Sequence, residues 1–148
     1  MPSKTNNNNL SELKKFLKKY PDTSEMELLV ADIHGVLRGK RIRSNEFKSI
    51  FEDGFSMPGG TLFLDILGSA VPDISWSGDD GDPDTEAKVI ASSLAPIPWS
   101  KKTSAQALFT FRDKKSKPFF GEPRAILKNN IDNLKKIASK IVMAVELE

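Results

Sequence analysis

Residues 26–43 read MELLVADIHGVLRGKRIR, and the fold turns on how this stretch is parsed. Leu28 to Ile33 is an extended apolar run, and Val36 to Arg43 is a second extended run of mixed character. Between them sits His34-Gly35, a residue tolerant of positive φ followed by a glycine, which is the signature of a tight hairpin turn. The spacing therefore predicts two antiparallel strands. His34 is most simply a turn residue, since a catalytic role would require a carboxylate or nucleophile partner and Asp32 is the near candidate. In the second strand Arg38 and Lys40 share one face, and Arg41 and Arg43 share the other. A nucleic-acid face would interleave aromatics with these charges, and none is present, so the basic strand reads as a solvated or partner-facing edge.

Downstream, Asn45 to Asp53 predicts a helix burying Phe47, Ile50 and Phe51 and stopped by Gly54. Thr61 to Ile66 predicts a buried strand, and Ala87 to Ala91 another. About twenty residues rich in Gly, Ser, Pro and Asp separate them, longer than a compact domain tolerates without a purpose. This loop has Asp65 at its base and carries Asp73, Trp76, Asp79, Asp80, Asp82 and Asp84. Its Gly81 and Pro83 fall at the wrong places for an EF-hand, so a solvated acidic turn is favoured over a calcium site. Pro96, Pro98 and Trp99 form a stiff connector, and Gln106 to Arg112 alternates as a further strand. Upstream, residues 1–9 end in four asparagines and are expected to be disordered. Leu10, Leu13, Phe16 and Leu17 follow at helical spacing, with Asn9 and Glu12 as a capping pair and Pro21 as the stop. The lysines of this short helix read as a solvated face rather than a membrane contact.

Strand, strand, helix, strand, strand, strand is an α+β pattern: a mixed sheet packed on a helix, of which a β-grasp is one instance. The polar run Asp113 to Lys117 is a plausible domain boundary. Beyond it, Pro123 stands at a first helical position, Leu127, Ile131, Leu134 and Ala138 mark one apolar face, and Ile141 to Val145 predicts a buried strand ending in Glu146, Leu147 and Glu148. Two elements cannot bury a core of their own. The expected organisation is thus residues 1–24 as tract and helix, 25–113 as the sheet domain, and 114–148 as the incomplete start of a second domain. The 148 residues, 39% hydrophobic, suffice for one ordinary core. With no cysteine and one histidine, disulfide scaffolds, thiolate chemistry and multi-histidine metal sites are excluded. A net charge of +2 argues against a general polyanion binder. No apolar run reaches the length of a spanning helix, and no signal-peptide core is present, so the expected setting is cytoplasmic, without membrane or nucleic-acid partners.

On a strand, Glu146 and Glu148 would project to one side about 6.5–7 Å apart. That separation suits two hard cations such as Mg²⁺ or Mn²⁺ lying side by side, although a Glu-x-Glu at a strand end, taken alone, is usually a solvated edge.

The ordered series "LLVADIHGVLRGKRI", "FEDG", "FLDILG", "GDPD", "LAPIPW", "GEPRAILKNNIDNL" and "AVELE" resembles the N-terminal part of the glutamine synthetase family from Leu28 to Glu148. The resemblance implies a β-grasp domain followed by the first helix and strand of a catalytic domain. It also implies an ATP-dependent ligase that phosphorylates the γ-carboxylate of glutamate and lets ammonia or an amine displace the phosphate. By position Glu146 and Glu148 would be ligands of Mg²⁺ or Mn²⁺. Asp65 would stand at the base of a loop covering the active site of a neighbouring subunit in a homo-oligomeric ring, binding and deprotonating the incoming ammonium. Trp76 would correspond to an aromatic of that loop. Members that use ammonia carry an Asp-Gly-Ser-Ser type loop, whereas this chain has Asp65-Ile66-Leu67-Gly68-Ser69. The difference points to the branch that joins glutamate to larger amines, the γ-glutamylpolyamine synthetases. The region alone is expected to be inactive and to bind no ATP or metal by itself. The reading from a different class is a free-standing β-grasp module that binds a partner protein through its hairpin or sheet edge.

Overall fold

The hairpin is the frame on which the rest is hung. In the computed structural model, which describes residues 4–72, 81, 83–100, 103–137 and 140–146, strand β1 (Glu25–Ala31) pairs antiparallel with β2 (Leu37–Arg43). The turn between them places Gly35 at φ 78°. On its other edge β1 pairs in parallel with β6 (Ser104–Arg112), Glu25 opposite Ser104 and Leu29 opposite Leu108. The second half of β6 pairs antiparallel with β4 (Asp84–Val89), which pairs with β3 (Phe55–Pro58) at the far edge. A two-residue strand, β5 (Ala95–Pro96), adds to the first half of β6. The order β2-β1-β6-β4-β3 is a mixed sheet, as the α+β reading expects.

Burial alternates along the strands because successive side chains point to opposite faces. Met26, Leu28 and Val30 of β1, Ala105, Ala107, Phe109 and Phe111 of β6, and Ala87 and Val89 of β4 all point to one face. That face is covered by α1 (Lys4–Lys19), through Leu13 and Phe16, and by α2 (Phe47–Asp53), through Phe47, Ile50 and Phe51. Burying each such side chain is worth roughly 1.5–3 kcal/mol, so two helices on one sheet face suffice for a core of this size. The first helix is longer than expected. It begins at Lys4 and includes the asparagines, and Asn9 Nδ2 donates to the Val89 carbonyl at 3.3 Å. Among the described residues no helix is long and apolar enough to cross a membrane.

Three predicted strands come out differently. Thr61 to Ile66 is not a strand: Gly59–Phe63 forms a 3₁₀ turn that buries Leu62. Its Leu62 carbonyl accepts from Ile33 N at 3.2 Å, so the segment crosses the sheet end instead of joining it. The strand predicted at Ala87 to Ala91 ends at Val89, because Ala91–Ser93 is a 3₁₀ turn. At the C-terminus, α3 (Pro123–Leu134) starts with Pro at its first turn, but Ile141 to Val145 forms no strand. Val142, Met143 and Val145 are 78%, 67% and 89% exposed. An apolar run becomes a strand only where a neighbour takes up its backbone hydrogen bonds, and none of the described residues does so. Ala138 lies outside the described residues.

The polar run after β6 forms a tight turn. Arg112 bridges to Pro118 across it, and Phe119 then packs into the core at 2% exposure. Glu122 follows, fully buried; its Oε2 accepts from Thr110 Oγ1 at 2.7 Å and Phe111 N at 2.8 Å.

Candidate functional site

Among the described residues one local structure occurs three times, each built on an aspartate. In Asp32-Ile33-His34-Gly35-Val36, Asp32 Oδ1 accepts from His34 N at 2.8 Å and Val36 N at 2.9 Å. The main chain closes with Asp32 N to Val36 O and Gly35 N to Asp32 O. In Asp65-Ile66-Leu67-Gly68-Ser69, Asp65 Oδ1 accepts from Leu67 N and Ser69 N, both at 2.8 Å, and the same two main-chain bonds recur. In Asp113-Lys114-Lys115-Ser116-Lys117, Asp113 Oδ1 accepts from Lys115 N and Lys117 N, both at 2.8 Å. Aspartate suits the first position because its short side chain reaches the backbone two residues on. The fourth residue must adopt positive φ, which Gly35 and Gly68 do freely and Ser116 does at φ 57°.

The three turns differ in the second carboxylate oxygen. Asp32 Oδ2 accepts from Arg38 Nε at 2.9 Å, with the aspartate side chain fully buried and that of the arginine 16% exposed. Burial pushes the Asp32 carboxyl up. The hydrogen bonds from Arg38 and from the Val36 and His34 amides, with the Arg38 charge, outweigh it and hold the pKa below the usual carboxylate range. Asp113 is also held low, first by the Lys117 amide and then by the Lys115 amide and the two lysine charges. At Asp65 no described donor engages Oδ2, and the residue is half-buried beside Ile66 and Leu67, which are 68% and 87% exposed. Asp65 therefore offers a carboxylate oxygen whose orientation is fixed by its partner Oδ1. Such an oxygen is chemically able to hold a cationic amine and to accept its proton.

The Asp65 turn is tied to the hairpin. Arg38 Nη2 donates to the Asp65 carbonyl at 2.6 Å, and a Cβ on Gly68 would lie 3.2 Å from Arg38 Nη1. Arg38, expected at a solvated or partner-facing edge, is thus a neighbour of the Asp65 turn. Its signal was Asp32 across the same hairpin. His34 is a turn residue, exposed and contributing its backbone amide.

Glu146 is exposed and belongs to no strand, and Glu148 lies outside the described residues, as do Asp73, Trp76, Asp79, Asp80 and Asp82. Among the described residues no three His, Cys, Asp or Glu side chains cluster as metal ligands. Two carboxylates are hard oxygen donors of the kind Mg²⁺ and Mn²⁺ take, but too few to complete a coordination shell. The chain's described residues alone do not form a metal centre.

No family model matches the chain. It is 34% identical over 137 residues to γ-glutamylputrescine synthetase PuuA of Escherichia coli (strain K12), covering 93% of this chain and 29% of that protein. It is 26% identical to a glutamate–isopropylamine ligase of Pseudomonas sp, over 99% of this chain and 32% of the relative. To a glutamine synthetase of Pyrococcus abyssi it is 27% identical, over 95% and 28%. Among solved structures, the one titled "GmaS/ADP complex-Conformation 1" superposes with a TM-score of 0.65 at 19% identity, covering 84% of this chain and 26% of that one; this shows a common fold. The chain thus spans about a third or less of the length of the curated relatives it matches. Nearly all of the chain thus matches members of the glutamine synthetase family, and its sheet is shared with a solved structure.

Proposed function

We propose that this chain is the N-terminal region of an ATP-dependent ligase that joins glutamate to an amine, and that Asp65 is its contribution to catalysis. The observation that carries this reading is the 34% identity to a γ-glutamylputrescine synthetase across 93% of the chain. The Oδ2 of Asp65, which no described donor engages, fixed in direction and flanked by exposed Ile66 and Leu67, supports it. A carboxylate on an apolar-flanked turn suits a loop that closes over a neighbouring subunit's site and meets a cationic amine there. The departure from the Asp-Gly-Ser-Ser loop favours an alkylamine or polyamine over ammonia.

In the assembled enzyme, Glu146 and Glu148 supply two carboxylates toward a Mg²⁺ or Mn²⁺ site whose other ligands come from elsewhere, and ATP is the phosphoryl donor. The assembly is a homo-oligomeric ring in the cytoplasm, and the region by itself is inactive. The test is to join this sequence to a relative's catalytic domain and compare Asp65→Ala with the parent. Amine-dependent turnover should fall by about two orders of magnitude or more, the scale of a lost acid–base group. Unchanged turnover removes Asp65 from the mechanism. Glu146→Gln and Glu148→Gln should raise the metal concentration needed for half-maximal activity; an unchanged metal requirement removes them as ligands.

A further inference from the structure

We propose that Arg38 is a positioning residue that clamps the Asp65 turn to the hairpin and so sets the direction of the Asp65 carboxylate; the catalytic part of this inference rests on the function proposed above. Three contacts converge on one guanidinium. Arg38 Nε is held by the fully buried Asp32 Oδ2 at 2.9 Å. Its Nη2 donates to the Asp65 main-chain carbonyl at 2.6 Å. Its Nη1 lies against Gly68, where a Cβ would come within 3.2 Å. The anchor is firm because Arg38 is the one cation paired with the buried Asp32 carboxylate among the described residues, and Asp32 Oδ1 is occupied by His34 N and Val36 N.

The carbonyl that Arg38 grips is the one that also accepts from Gly68 N, so the grip acts on the closing bond of the turn. Asp65 and Gly68 are thus both held against one planar group, whereas the Asp113 turn, with the same internal bonds, has no arginine contact among the described residues. Ile66, Leu67 and Ser69 are exposed and give the loop little packing of its own. Arginine is required chemically. The clamp uses separate nitrogens of a rigid planar fork, and a lysine ammonium pairs with Asp32 without spanning to the Asp65 carbonyl.

The test is amide hydrogen exchange on the whole chain with Arg38→Lys, which keeps a cation for Asp32. The quantity read is the exchange rate of Leu67, Gly68 and Ser69 divided by that of Lys115 and Lys117 in the same molecule, a ratio that cancels any general loss of stability. We expect the ratio to rise by about tenfold; an unchanged ratio, including one in which both turns loosen equally, overturns the clamp. Asp32→Asn, which leaves the turn acceptor but removes the anchoring charge, should raise the ratio in the same sense. In an assembled ligase bearing this sequence, Arg38→Lys should raise the KM for the amine by about tenfold and leave those for ATP and glutamate unchanged. If Asp65→Asn raises the amine KM and Arg38→Lys does not, the positioning role is overturned. If neither does, the proposed function of Asp65 fails, while the exchange ratio still decides the clamp.

Discussion

The turns at Asp32 and Asp65 share a hydrogen-bond plan down to the closing main-chain bonds, yet their carboxylates have opposite fates. At Asp32 one oxygen organises the backbone and the other is sealed against Arg38. At Asp65 the backbone is organised in the same way and the second oxygen meets no described donor. A fixed carboxylate is therefore available for structure or for chemistry depending on whether a cation reaches its far side. In this molecule one arginine, bound to the first turn, also holds the second by its carbonyl and leaves its carboxylate open.

The strongest way to break the comparison is Asp32→Ala. It removes the acceptor for two turn amides and leaves the Arg38 guanidinium largely buried without its counter-ion, so a loss of about 3–5 kcal/mol is expected in urea unfolding. A loss below about 1 kcal/mol would place the pair among surface ion pairs. The same pair predicts a pH limb. The Asp32 pKa is lowered in the folded chain, so its contribution is present above the unfolded value of 3.8 and is lost as pH falls through the folded one. Thermal melts from pH 6 downward should show this acid loss in the parent and less of it in Asp32→Asn.

Glu122 should give the opposite sign. Burial raises its pKa, against the bonds from Thr110 and Phe111 and the charges of Arg112 and Arg124. The folded chain then holds the proton longer, and stability falls as pH rises from the unfolded value of 4.5 toward the folded one. Its Oε1 has no partner among the described residues, so Glu122→Gln should flatten that decline, read as a Tm difference from the parent that grows between pH 4.5 and 7.

Asp65→Ala should cost about 1 kcal/mol, since water can satisfy the exposed Leu67 and Ser69 amides it leaves; an effect as large as that of Asp32→Ala would mean its second oxygen is engaged too. The smallest effect belongs to the third turn. Ser116 sits at φ 57°, where glycine is at ease, so Ser116→Gly should stabilise by about 0.5–1 kcal/mol in chemical denaturation. The reverse exchange, Gly68→Ser, should destabilise and also crowd Arg38 Nη1.

The hairpin, α2 and β6 were legible because each carries its own local signal: His34-Gly35, the spacing of Phe47, Ile50 and Phe51, and the alternation from Leu108 to Phe111. Asp65 is singled out by the family motif. Ser116 hid the third turn, because the left-handed position lacked a glycine to mark it. The Arg38 contacts were hidden for a different reason. That Asp32 and Arg38 pair follows from the hairpin register, but that the guanidinium also reaches residue 65 depends on where a distant segment crosses the sheet end. Thr61 to Ile66 and Ile141 to Val145 are apolar runs whose composition fits a strand. What decides such a run is a neighbour with free backbone groups, and the first run is diverted by its 3₁₀ turn while the second has no described neighbour.

The parallel pairing of β1 with β6 has a consequence for synthesis. The hairpin leaves the ribosome early, with Met26, Leu28 and Val30 ready for burial, but the strand that flanks it comes last in the sheet. At roughly 5–20 residues per second, the hairpin waits for several seconds with one edge unpaired and its apolar face covered at most by α1 and α2. Nascent chains stalled before Ser104 should consequently be the species that chaperones capture, and those stalled beyond Phe119 should escape them.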